Sequence, residues 1–200
     1  MSNGVWLQTD EDEDVAASIR HALRTASFVS DDRQACKWVA LSLHSALQGA
    51  CVCHLVTTAS PFGAVTKKNA KEWLVYFEDS RNNTAAIPPT AQIMNLPDLL
   101  KAIRRAHSAG DGSNVSGIVL SDSDLTWLKR FHEDLRNQFT HFEPQGWSIE
   151  LSGIPGLAKL ISRVIGDIAN VGWAFRHKDG AWKSSLAENL QKLAALQLNA

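Results

Sequence analysis

The segment from Ser30 to about Thr57 limits the fold of this chain more than any other. Ser30-Asp31-Asp32 reads as a helix start, and Trp38, Val39, Leu43, Leu47, Ala50 and His54 then follow at helical spacing. Ala, Ser and Cys occupy most of the remaining circumference. Small side chains let neighbouring helices approach closely, so this segment is expected to be a central helix buried on more than one side. The chain supplies amphipathic partners for it. Leu128, Phe131, Leu135, Phe139 and Phe142 form one helical stripe, and Leu157, Leu160, Ile161, Val164, Ile165 and Ile168 form another. Ser121 with Asp124, and Ser185 with Glu188, have the spacing of capping boxes. Pro144 disfavours helix at Glu143, so the first stripe should stop near Phe142. Pro97 suits the first turn of a helix running to about Ala109. The expected fold is all-α, an up-and-down bundle of four to five main helices with an irregular insertion near 58–120.

Outside these stripes the pattern is weaker. Residues 1–13 are polar and acidic and are expected to be a flexible arm, with a short helix from about Val15 to Thr25 and a single domain over 14–200. Trp73-Leu74-Val75-Tyr76-Phe77 suits a strand by composition and a helical turn by context. Residues 81–96, with Pro88-Pro89, read as a long loop. Trp147, Ile149 and Leu151 alternate with Ser148 and Glu150, as in a short extended segment.

Composition excludes several classes. The chain has 200 residues, 44% of them hydrophobic and 20% charged, which suits one globular domain with a real core. No apolar run is long enough for a bilayer and no signal peptide is apparent, so a cytoplasmic protein without membrane contact is expected. Asp10 to Asp14 is a run of five acids; removing it from a net charge of −1 leaves +4. A modestly basic body is compatible with RNA, though it does not point to it. Cys36, Cys51 and Cys53 lack the spacing of a zinc or redox site and read as buried thiols, so no metal and no cofactor are expected. Phosphate-cradling loops, dinucleotide fingerprints and HExxH are absent from the sequence.

One run carries chemistry: Arg136-Asn137-Gln138-Phe139-Thr140-His141. An Arg binds phosphate through paired donors and stabilises charge building on it. A His titrates near neutrality, so it can take the proton of a ribose 2′-hydroxyl or give one to the leaving oxygen. On an ideal helix Asn137 and His141 share a face, so the amide can fix the imidazole tautomer, and Glu133 continues that face one turn earlier. Arg136 and His141 lie five apart and point different ways unless the helix loosens or a second copy supplies the partner. The same residues also suit an ordinary polar helix end, with Arg136 paired to acids such as Glu133 and His141 on the terminal carbonyls. The basic run Lys101, Arg104 and Arg105 reads as a solvated face that could also meet phosphate.

Arg136, Asn137 and His141, at the end of an amphipathic helix and followed by Phe142-Glu143-Pro144-Gln145-Gly146-Trp147-Ser148-Ile149-Glu150, resemble the HEPN superfamily (higher eukaryotes and prokaryotes nucleotide-binding domains), in particular a bacterial subgroup of it. The specific resemblance covers roughly 121–151. It implies a homodimer that brings two Arg–His motifs together and, often, metal-independent endoribonuclease activity in toxins or phage defence, with a nucleotidyltransferase-type antitoxin as a possible partner. It assigns His141 as acid or base, Arg136 as phosphate ligand and Asn137 as orienting group. The same resemblance allows an alternative, a non-catalytic module that binds a nucleotide or a partner protein.

Overall fold

The computed structural model describes residues 6–57, 61–140 and 146–198, and among them the protein is all-α. Helix α1 spans Glu11–Ala26, α2 Ala35–Leu55, α3 Lys67–Asp79, α4 Leu96–Ile103 and α5 Asp122–Arg130. A π-helical turn, Phe131–Arg136, continues α5 into a short α6, Asn137–Thr140; α7 is Gly153–Val171 and α8 is Gly180–Ala194.

Helix α2 is the centre, as its small-residue surface implies. It packs on α1, α4, α7 and the π-helical turn. Val39, Ala40, Leu43, Ala46, Leu47, Ala50 and Cys51 are all fully buried along it. Its approach to α1 is close enough that a Cβ on Gly49 would sit 2.8 Å from Val15 Cγ2. Asp14 receives a hydrogen bond from Ser45 and Asp12 lies beside Cys53, so the two helices run antiparallel. The helix starts at Ala35 rather than at Ser30, because Asp32 accepts from the Gln34 amide and Phe28 to Gln34 form a string of turns.

The acidic run departs from expectation for a physical reason. Asp10 caps α1 by accepting from the Glu13 amide, and Glu11 to Asp14 form its first turn. Carboxylates there face the partial positive end of the helix dipole and stabilise the turn they occupy. Lys178 then binds Asp10 at 2.7 Å, and the Trp182 indole donates to Glu13 at 2.9 Å, tying the start of α1 to the region of α8. Residues 11–13 are therefore helical, not a flexible arm.

The stretch expected as irregular holds two helices. Trp73 to Phe77 lie in α3, where Trp73 packs on Tyr76 and Phe77 and Phe77 on Phe62. Thr66 caps that helix, and buried Asn69 ties it to the 81–95 loop through Thr90 O and the Gln92 amide. Helix α4 ends at Ile103, six residues before the expected end at Ala109, and the chain turns at Arg104. The Ser121–Asp124 capping box forms as read. The one at Ser185 does not: α8 begins at Gly180 with Asp179 as its cap. Residues 146–150 form no strand. Among the described residues no helix is long and apolar enough to cross a membrane.

Candidate functional site

The site is built where the helix carrying the motif changes its winding. Asn137 N–H donates to the His132 carbonyl, five residues back, so the hydrogen-bonded loop there holds one more residue than in an α-helix. This changes which side chains share a face. Arg136 and Thr140, one α-turn apart on the far side of the change, line a cleft of about 720 Å³ with His44, Ser45, Gln48 and Asp14. Arg136 Nη1 donates to Asn137 Oδ1 at 3.0 Å, and the Thr140 hydroxyl donates to Arg136 O at 3.1 Å. The Asn amide thus orients the guanidinium.

His44 lines the inner wall, and a second histidine, His132, bonds it from the π-helical turn. His44 Nε2 and His132 Nδ1 are 2.8 Å apart, and the rings stack with centroids 5.1 Å apart. Phe131 packs against His44 from the same turn. Burial, then the neighbouring His132 and Arg136, push His44 down to about 3. His132 is lowered by burial and by Arg136. Both rings are therefore neutral near pH 7, one donating an N–H to the other. The hydrogen bond, at 2.8 Å, ties α2 to the π-helical turn that ends at Arg136.

The outer wall is acidic. Asp10, Glu11 and Asp14 line it, and Arg136 is the one cation among the described residues that do. Lys178 neutralises Asp10 and holds its carboxyl below the usual range.

Other expected residues lie elsewhere. Glu133 is 3.8 Å from Lys129, one turn back on the exposed side, and does not line the cleft. Lys101 pairs with Asp98 and Arg104 with Asp122, while Arg105 is exposed; none of the three borders the cleft. His141 lies outside the described residues, as do Phe142, Glu143 and Pro144. His132 lies at the edge of the Leu128–Leu135–Phe139 stripe by helical spacing, but its partner His44 is 88 positions away and gives no local signal. Cys36, Cys51 and Cys53 are buried thiols, with burial pushing Cys51 up to about 12.

A second cleft, of about 610 Å³, opens on the other side of α6. Gln138, Phe139, Trp147, Ile149 and Leu151 face Arg33, Gln34, Cys36 and Lys37 across it. Comparison with protein-family models, curated proteins and solved structures gives no match.

Proposed function

We propose that the protein is a metal-independent endoribonuclease of toxin or phage-defence type, related to the HEPN superfamily. The observation that carries this reading is the placement of Arg136, oriented by Asn137, on the wall of a cleft large enough for a nucleotide. Arg136 binds the scissile phosphate and stabilises the charge that builds on its oxygens. The ribose 2′-oxygen attacks phosphorus, the bond to the 5′-oxygen breaks, and a cyclic phosphate remains. His141 takes the 2′-proton or returns one to the leaving oxygen. Neutral His44 and His132 carry no charge to compete with the substrate; their hydrogen bond ties α2 to the π-helical turn that ends at Arg136. A homodimer would bring two such sites together, and a nucleotidyltransferase-type antitoxin is the partner this class calls for.

The acidic wall of Asp10, Glu11 and Asp14 supports a second reading, a non-catalytic module that binds a nucleotide or a partner protein. Carboxylates beside a phosphate site cost affinity for polyanions and favour a basic partner.

The test is cleavage of several RNAs by purified protein in EDTA, beside Arg136→Ala, Arg136→Lys and His141→Ala with matched melting curves. The ribonuclease reading expects cleavage by wild type, a loss of at least about a hundredfold in Arg136→Ala and His141→Ala, and incomplete rescue by Lys. Absence of cleavage by every form overturns the ribonuclease reading and moves the assignment to the binding module.

A further inference from the structure

We propose that the cleft on the other side of α6, between Trp147 and Arg33, is a binding subsite for a nucleobase and its adjoining phosphate in single-stranded nucleic acid. The proposal deepens the ribonuclease reading but rests on different residues. One wall is aromatic and apolar: Phe139 and Trp147 meet with centroids 5.0 Å apart at 60°, with Ile149 and Leu151 beside them. Trp147 keeps 43% of its surface exposed in spite of that contact. The facing wall is cationic. Arg33 and Lys37 both line it, four residues apart at the start of α2, and Lys37 Nζ lies 5.1 Å from the centroid of the Trp38 ring. Gln34 and Gln138 add amides that donate and accept.

No carboxylate is among the described residues lining this cleft, whereas three line the cleft of Arg136. Of the two, this is the one whose charge suits a polyanion. An aromatic face for a base with cations for the backbone is the arrangement by which single strands are held without reading sequence. Its volume is that of a small-ligand site. Placement links it to the motif: Arg136 and Thr140 look into one cleft, Gln138 and Phe139 into the other, and α6 is the partition. A strand laid across α6 would put its phosphate on Arg136 and a neighbouring base on Trp147.

The test is equilibrium binding of a fluorescein-labelled oligodeoxyadenylate, read by anisotropy at low salt. DNA lacks the 2′-hydroxyl, so the readout is binding without chemistry. Wild type is expected to bind, Trp147→Ala and Arg33→Ala each to weaken binding about tenfold, and Trp147→Phe to recover most of the loss, which also controls for folding. Lys101→Ala should leave it unchanged. No binding at millimolar oligonucleotide overturns the proposal, and so does binding indifferent to Trp147→Ala and Arg33→Ala. A wild-type protein that binds through Trp147 yet cuts no RNA defeats the ribonuclease reading and leaves the subsite standing. Cleavage whose half-saturation is unaltered in Trp147→Ala does the reverse. Binding of an acidic peptide but of no oligonucleotide would assign the cleft to a protein partner and also overturn the proposal.

Discussion

The two clefts on either side of α6 share that partition but no lining residue among those described, and they have opposite character. One is walled by Asp10, Glu11 and Asp14 at the start of α1 and, among the described residues that line it, has one cation, Arg136, whose guanidinium bonds the Asn137 amide. The other joins an aromatic pair to Arg33 and Lys37 and has no acid on its described walls. A lone, well-oriented guanidinium among carboxylates suits selective stabilisation of developing charge more than tight ground-state binding. A basic, aromatic cleft suits affinity. The difference suggests a division of labour, with chemistry on one side of the partition and holding on the other.

The winding of the helix is the feature that makes the division, so breaking it should have the largest effect. Deleting Asp134, an exposed residue of the π-helical turn, would return the segment to α-helical spacing and rotate Arg136 and Thr140 out of their cleft. We expect RNA cleavage to fall by at least about a hundredfold, as for Arg136→Ala, while the circular dichroism spectrum keeps its helical form. Retained cleavage in the deletion variant would show that the π-helical turn does not direct the site.

The histidine pair sharpens the comparison through pH. His44 is pushed down to about 3 and buried His54, which bonds Ser108, to about 4, both chiefly by burial. Their folded-state values lie below the ordinary 6.5, so the folded protein binds fewer protons than the unfolded chain. Stability is then full above about pH 6.5 and falls as pH drops from there towards 3–4. Each ring should cost about 2 kcal/mol at pH 5, read as a falling midpoint in urea denaturation. His44→Leu should flatten part of that slope; an unchanged slope would mean the ring does not stay neutral in the folded state.

A smaller effect is expected from close packing at α1 and α2. Gly49→Ala places a methyl 2.8 Å from Val15 Cγ2, at a position that also lines the Arg136 cleft, and should destabilise by about 1–3 kcal/mol, read as a lower midpoint in urea denaturation. The smallest effect belongs to Lys101→Ala and Arg105→Ala. Lys101 pairs with Asp98 on an exposed face and Arg105 borders neither cleft, so RNA affinity should change less than twofold and stability by about 0.5 kcal/mol or less.

Much of the scaffold was legible because its signals are local or strongly periodic. The small-residue surface of α2, the stripe of α7 and the Ser121–Asp124 box each specify their element with neighbours close in sequence. The elements misread depend on contacts distant in sequence. Glu11 to Asp14 become a helical turn when Lys178 and Trp182 meet them, and Trp73 to Phe77 settle as helix once Thr66 caps α3 and Asn69 joins it to residues 90–92. In the candidate site, Arg136 and Asn137 stand out in the sequence, but their bond to each other does not. The reading assumed 3.6 residues per turn, which sets Asn137 towards His141 and Glu133 into line. The contact of His132 with His44, 88 positions away, is a tertiary one, whereas Glu133 meets Lys129 at ordinary i,i+4 spacing.

The division of labour is tested most directly by single-turnover RNA cleavage, titrating Arg136→Ala and Trp147→Ala against wild type to separate the limiting rate from half-saturation. The account predicts that Arg136→Ala lowers the rate at saturating protein by at least about a hundredfold with little change in half-saturation. It predicts that Trp147→Ala raises half-saturation about tenfold and leaves the limiting rate near wild type. The reverse pattern, or equal losses in both quantities from both substitutions, would contradict it.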